Sequence, residues 1–314
     1  MRKYLCAMLA LAAAVRANAA DTVKPLNPNI GLVLNGFLAD RENDEIPKGF
    51  SIGESELNIN ADIDPYLKGN FTVALKDDEA AEIEEAFIRT TSLENGLTLS
   101  IGRMLPIFGY LNEKHRHTDD FALRPLVMRD YFGSEGFFNA DGVQASVVLP
   151  SALYSEIGGG AFGQNDLTAY VRIGGGNAHA WRLGASYYHR GEVEDEFGFI
   201  EPEQKFVGAD FKYSYSPNGN SKETEASLYG EYVRRQEVDS GFYAAATYKW
   251  AERWRGGYMY SAILSDERTD EHVAMLEYNT SEFGRFRLQY GFGDESRAML
   301  QYTVSMGAHA AHNF

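Results

Sequence analysis

The sequence predicts an all-β chain that closes into a transmembrane antiparallel β-barrel of about 16 strands (14 to 16), with a long third outer loop. Three observations carry this. Segments that alternate apolar and polar residues recur from residue 30 to the end of the chain. The links between them fall into a short and a long class. The chain also opens on a stretch with the parts of a secretory signal.

The last segment shows the alternation most clearly. Leu300, Tyr302, Val304 and Met306 fall on one face, and Gln301, Thr303 and Ser305 on the other. Side chains alternate faces along a strand, so this is a strand with one greasy and one wet side. Earlier segments repeat it: Ile30 to Ala39, Glu56 to Ile63, Gly69 to Lys76, Leu97 to Arg103, Gly142 to Leu149, Ala152 to Phe162, Leu167 to Gly174 and Ala178 to His189. Then come Phe206 to Tyr215, Ala226 to Arg235, Gly241 to Trp250, Trp254 to Leu264, His272 to Tyr278 and Arg285 to Phe292. Glu82 to Thr91 is irregular, and its Ala and Glu content reads as a short helix. The glycine runs 158–160 and 174–176 follow no buried strand into a helix, so they read as turns or close strand contacts rather than nucleotide loops. Trp181, Trp250, Trp254 and Tyr258 read as interface-girdle aromatics.

Counted back from the end, the links alternate. Pro150-Ser151, Ser216 to Asn220, Ala251 to Arg253 and Thr280 to Phe283 are short; Lys76 to Glu82, Arg190 to Lys205 and Ser265 to Glu271 are longer and acidic. Short turns at one rim and longer loops at the other are what a membrane barrel shows, and a soluble sandwich has no reason to sort its links this way.

Met1-Arg2-Lys3, the apolar run Tyr4 to Val15 and Ala17-Asn18-Ala19 predict a cleavable signal over residues 1–19. The run is shorter than the roughly 20 residues a spanning helix needs. Removing 19 of the 314 residues leaves 295, with a polar periplasmic lead at 20–29 before the barrel. The single cysteine, Cys6, leaves with the signal, so the mature chain forms no disulfide. The formal charge of −16 drops to −19 once Arg2, Lys3 and Arg16 are gone, which argues against nucleic acid, whose phosphates require a basic face. With 31 glycines, 19 tyrosines and 19 phenylalanines against 9 prolines, the composition suits strands and tight turns.

The interval 104–140 breaks the rhythm. By the strand count it is the third outer link, and it holds too many apolar residues to hang in water. Long loops in a compact domain are usually functional or folded back. We expect it to fold into the barrel, as the third loop of porins does, with Glu113, Asp119, Asp120 and Arg124 at a constriction. An outer lid with its own small core around Phe132, Phe137 and Phe138 is the alternative. The lumen face is expected to carry Thr168, Tyr170, Arg172, Arg182, Ser186, Arg285, Arg287 and Gln289.

Gly53-Glu-Ser-Glu-Leu57, Glu85-Ala-Phe-Ile88, Phe108-Gly-Tyr-Leu-Asn112, Arg124-Pro-Leu-Val127, Pro217-Asn-Gly-Asn220 and Gly307-Ala-His-Ala-Ala-His312 together resemble a family of porin-like bacterial outer-membrane proteins. Its members are often labelled zinc-regulated or TonB-dependent-receptor-like. The terminal Phe314 resembles the signal read by the outer-membrane assembly machinery. The resemblance implies a Gram-negative outer membrane, with its lipids as partner, and a link to metal supply. The receptor part of the label conflicts with the chain, because 295 residues cannot hold both a plug and about 22 strands.

His115 and His117 are the metal-ligand candidates, with two solvated histidines among charges as the alternative. In an extended segment both imidazoles face one way, with Lys114 and Arg116 on the other side, and Glu113, Asp119 or Asp120 could add oxygen to a Zn²⁺ site. Neutral imidazole is the binding form, so affinity should fade as pH drops through about 6.5. His309 and His312 point to opposite faces and make a poor chelate. No cofactor is expected beyond Zn²⁺ as a bound or transported ion.

The sequence reading is a passive outer-membrane channel for small hydrophilic solutes, not an enzyme, with mild cation preference from its acidic links. A channel tied to zinc or divalent-metal uptake shares the fold. A lipid hydrolase, using His179 or His189 with a nearby serine, and a barrel adhesin are rivals of other classes. A homo-oligomer fits the sequence as well as a monomer does.

Overall fold

The computed structural model describes residues 28–42, 46–76, 80–194, 200–221, 224–293 and 296–307. The expected signal peptide at 1–19, most of the 20–29 lead, His309, His312 and Phe314 lie outside the described residues, as do Asp77, Asp78, Glu79, Asp195 and Glu196.

The described chain is strand after strand. These are β1 (Asn29–Ala39), β2 (Gly49–Ile52), β3 (Ser55–Asp64), β4 (Leu67–Leu75), β5 (Glu82–Thr90), β6 (Leu97–Met104), β7 (Ala140–Val148), β8 (Tyr154–Phe162), β9 (Leu167–Gly175) and β10 (His179–Arg190). After the two-residue strands β11 (Val193–Glu194) and β12 (Ile200–Glu201) follow β13 (Gln204–Tyr215), β14 (Glu225–Arg235), β15 (Asp239–Ala251), β16 (Trp254–Leu264), β17 (Thr269–Ser281), β18 (Gly284–Gly293) and β19 (Arg297–Gly307). Each neighbouring pair is antiparallel, and β1 pairs with β19 from Gly31↔Gly307 to Ala39↔Met299, which closes the barrel. β11 and β12 pair only with each other, as a small hairpin outside the main sheet.

β2 and β3 are one stave. Both pair with β1, through Gly36↔Ile52 and Val33↔Glu56, and the break falls at Gly53-Glu54. A Cβ at Gly53 would overlap the Phe37 ring, so glycine lets the stave kink over that side chain. With β2 and β3 counted together, the barrel has 16 staves, the number the alternation predicts.

Burial runs opposite to that of a soluble protein. On β9, Leu167, Val171 and Ile173 are exposed on the outside, while Thr168, Tyr170 and Arg172 are buried within. On β19, Leu300, Tyr302 and Met306 face out, and Gln301 and Thr303 face in. Such a surface is stable only where the outside is lipid. Trp250 and Trp254 flank the short β15–β16 turn and are exposed, as is Tyr258 further along β16. Gly158 lies on β8 within a strand contact: a Cβ there would meet the Tyr170 ring of the next strand.

The short links β3–β4, β7–β8, β9–β10, β15–β16 and β17–β18 all lie at the rim where β1 begins and β19 ends. The opposite rim carries the β10–β13 link with its hairpin and the 35-residue stretch between β6 and β7. It also has short links, such as the one after β8, so only some of its loops are long.

One expectation is corrected. Residues 82–90 form strand β5, not a helix. The alternation is broken there by a β-bulge: Thr72↔Glu85 is followed by Val73↔Ile83, leaving Glu84 as the extra residue. A bulge turns two successive side chains toward one face, and Glu84 and Glu85 are both buried inside the barrel.

A continuous antiparallel ladder with no free edge resists unfolding by detergent. The folded protein is therefore expected to migrate faster on SDS gels before boiling than after it. Equal mobility in both samples would contradict the closed barrel.

Candidate functional site

The candidate site is built by the stretch between β6 and β7. Met104 and Ala140 are direct partners across the ladder, so everything between them is a loop on one hairpin. It turns into the barrel because its apolar residues find an apolar wall there. Phe108, Tyr110, Leu111, Phe121, Val127 and Met128 are buried against Tyr188, Phe206, Tyr229, Val233, Tyr243 and Met259 of β10 to β16. Phe138 stacks on Tyr188 with ring centres 4.3 Å apart, and Phe132 lies 5.2 Å from Phe206. The loop's one helix, α1 (Leu126–Phe132), follows Pro125 and contributes Val127, Met128 and Tyr131 to this core. A second apolar contact joins Ala122 and Leu123 to Phe37, Ala39 and Met299 of the closing strands. Phe132 and Phe138 of the lid alternative thus belong to a core shared with the barrel, while Phe137 lies under the Arg124 guanidinium within the loop, 5.4 Å from it.

An irregular backbone buried this way must still satisfy its N–H groups. The wall supplies side-chain acceptors in series. Ile107 N–H donates to Gln144 Oε1 (2.9 Å), Gly109 to Ser186 Oγ (3.0 Å), Leu111 to Glu231 Oε1 (2.9 Å), Ala122 to Gln289 Oε1 (2.8 Å) and Val127 to Ser261 Oγ (3.2 Å). Gly109 has φ +61°, and a Cβ there would overlap Glu231 Oε2. Both the turn and the close approach require glycine.

Charge completes the docking. Arg287, fully buried, donates to Glu277 Oε2 (3.0 and 3.2 Å), Gln301 Oε1 (2.9 Å) and the Asp119 carbonyl (2.8 Å). Arg172 and Arg182 share Glu113, at 2.7 and 3.0 Å. Burial alone would raise the Glu113 carboxyl, but the two guanidiniums outweigh it and hold its pKa below the ordinary value. Asp120 pairs with Arg255, and Arg285 donates to the His117 carbonyl.

All eight residues expected on the lumen face point inward, but they do two jobs. Arg172, Arg182 and Arg285 border an open cavity. Ser186, Gln289 and Arg287 are buried under the loop and hold it; Tyr170 donates to Glu156 (2.9 Å), and Thr168 is buried beside them. Of the four loop residues, Glu113 and Asp120 border the cavity. Asp119 and Arg124 do not. They pair with each other at 2.8 Å, and Arg124 also donates to the carbonyls of Gly136 (3.1 Å) and Lys114 (2.6 Å). Arg124 is an internal staple of the loop rather than a constriction residue.

The histidines are corrected in their surroundings. Residues 116–118 form a 3-10 turn, not an extended strand, and the two rings still stack with centres 5.7 Å apart. Their carboxylate partners are not Glu113, Asp119 or Asp120. His115 Nε2 lies 3.0 Å from Glu85 Oε2, and His115 Nδ1 lies 3.3 Å from Glu56 Oε2 and 3.6 Å from Glu84 Oε2. His117 Nδ1 lies 2.6 Å from Glu56 Oε1. Burial works against charge on His115, yet these carboxylates overcome it and lift its pKa well above the usual histidine value. Lys114 borders the cavity and donates to Tyr110 Oη (2.5 Å), over whose ring Lys212 also sits at 5.4 Å.

Beneath the loop lies a cavity of about 1490 Å³. Its roof includes Ile107, Tyr110, Glu113, Lys114 and Asp120, and its floor is open among turn residues such as Asn177, Gly219 and Glu282. Six carboxylates line it against seven Arg and Lys side chains, with His115 and His117 beside them. His179 pairs with the Tyr213 hydroxyl (2.7 Å) and His189 lies 3.7 Å from Glu203; neither has a serine partner among the described residues.

No family model matches the chain. An uncharacterized protein of Aquifex aeolicus (strain VF5) is 26% identical over 338 residues, spanning 85% of this chain and 70% of that protein. Among solved structures, OmpT, an outer membrane protein of Vibrio cholerae, superposes with TM-score 0.59 at 14% identity, covering 89% of this chain and 99% of its own. The anion-selective porin of Comamonas acidovorans gives 0.59 at 12% identity, covering 90% and 98%. The chain has a porin-like fold, the closed antiparallel β-barrel of these outer-membrane proteins.

Proposed function

We propose that the protein is an outer-membrane channel through which small hydrophilic solutes pass passively, and that it performs no chemistry. The observation that carries this is the polar, charge-bordered cavity inside the barrel, roofed by a loop that the wall holds in place. Such a lumen discriminates by size and charge, with the loop as its narrowest part. Purified protein in a planar bilayer should give discrete ohmic steps. A folded barrel that yields none would overturn the reading.

We also infer a mild cation preference at low salt. The lumen arginines oppose it less than their number suggests, because Arg172 and Arg182 share Glu113 while Arg255 lies between Asp120 and Glu277. That leaves exposed acids of the long-loop rim, such as Glu192, Asp266 and Glu267, to set the field at the mouth. The preference should shrink as salt shortens the Debye length toward about 3 Å at 1 M. A reversal potential showing anion preference at low salt would mean that the lumen bases dominate.

A channel tied to divalent-metal uptake is the second reading, and it attaches to His115 and His117. Both imidazoles are engaged by wall carboxylates rather than free in the cavity, which suits holding an ion better than passing one.

A further inference from the structure

The cluster around His115 poses an electrostatic problem. Its Nε2 faces Glu85, so when that nitrogen carries the ring's single proton the Nδ1 lone pair points the other way. In that direction lie two carboxylate oxygens, Glu56 Oε2 at 3.3 Å and Glu84 Oε2 at 3.6 Å. Three lone-pair-bearing atoms cannot face one another in a buried place without a positive charge between them. A second proton on His115 can serve one carboxylate, and Glu84 Oε2 has no hydrogen-bond partner although its side chain is 5% exposed.

We propose that Glu56, Glu84 and His115 bind a divalent cation of the zinc class, which pins the loop to the barrel wall. The spacing fits. An ion about 2.1 Å from each ligand in a tetrahedral array needs ligand atoms roughly 3.4 Å apart. The His115 Nδ1 separations of 3.3 and 3.6 Å match that edge, and all three ligand atoms lie within 4.8 Å of one another. One imidazole nitrogen with two carboxylate oxygens is a donor set zinc accepts, leaving a fourth position for water.

The surroundings are those of a metal site as well. Metal-binding histidines almost always donate their other ring N–H to a carboxylate, which fixes the tautomer, and Glu85 stands in that place. His117, 2.6 Å from the other oxygen of Glu56, orients that carboxylate. The ligands come from three separate parts of the chain: Glu56 from β3, Glu84 from the bulge of β5 and His115 from the loop. The site therefore exists only while the loop is docked, and an ion that fills it stabilises docking by mass action. This inference is independent of whether solutes pass, because it concerns binding by the folded barrel.

The test is calorimetric titration of the metal-stripped, detergent-folded full chain with zinc chloride, alongside His115→Ala and Glu84→Gln. Gel mobility before and after boiling confirms that each variant is folded. Wild type should bind one equivalent, and each variant should lose at least about tenfold in affinity, the scale on which even supporting residues act. His117→Ala should retain the site with weakened affinity. Wild-type protein that takes up no zinc, or folded variants that bind it as wild type does, would overturn the proposal. His115 would then be an imidazolium among carboxylates. Protease cleavage within 105–139 provides a second readout: zinc should slow it in wild type and not in Glu84→Gln, and equal slowing in both would likewise refute the latch.

Discussion

Replacing residues 105–139 by a short glycine-containing turn is expected to raise single-channel conductance several-fold while the barrel still assembles. The loop reaches the wall at β3 and β5 through its histidines, at β7 and β10 through Gln144 and Ser186, and at β14, β16 and β18 through Glu231, Ser261 and Gln289. Little of the outer half of the lumen remains clear of it. Met104 and Ala140 are already ladder partners, so a tight link joins them without moving either strand. The ladder bonds that hold the staves do not involve the loop, and the SDS-gel shift should survive. Unchanged conductance in a folded variant would show that the loop is not the narrowest part.

Arg287→Ala should destabilise the docked state by about 3 kcal/mol, the lower end of the cost of breaking a buried ion pair. The lower end applies because Glu277 keeps Arg255 at 3.0 Å. What is lost is the fork that ties Glu277 and Gln301 to the Asp119 carbonyl. Arg287→Lys keeps the charge without the planar fork and should fall between. Protease cleavage within 105–139 reports loop release separately from denaturant unfolding of the barrel. If Arg287→Ala leaves both unchanged, the guanidinium is not what holds the loop.

Most of the barrel was legible because lipid outside and water inside impose a period of two on every stave. That period placed Thr168, Tyr170 and Arg172 on one face and Leu167, Val171 and Ile173 on the other. It failed where the backbone slips. At Glu84 the bulge turns two successive carboxylates inward, and a run of Glu and Ala without alternation then resembles a helix. The inward loop was legible in outline, since its apolar residues needed a partner. Its contacts were not, because they depend on separations such as the 120 residues between Leu111 and Glu231. The same limit misplaced the histidines' partners. Glu56 lies 61 residues from His117 and Glu85 lies 30 from His115, so local spacing favoured Glu113, Asp119 and Asp120. It also put Arg124 in the pore, where any loop arginine reads as a filter until its carbonyl partners are seen.

The contact between Arg287 and the Asp119 carbonyl joins positions 168 apart in the chain, and this has a kinetic meaning. Contacts of such separation form late, because the entropy of closing the intervening chain is lost before any gain from the contact. The loop's seat is also divided between early strands, which supply Phe37 and Glu56, and the last two, which supply Arg287, Gln289 and Gln301. No partial barrel offers the whole seat. Refolding should therefore show strand formation, followed by circular dichroism, running ahead of protection of 105–139 from protease, with the gap closing only when β18 and β19 have joined the sheet.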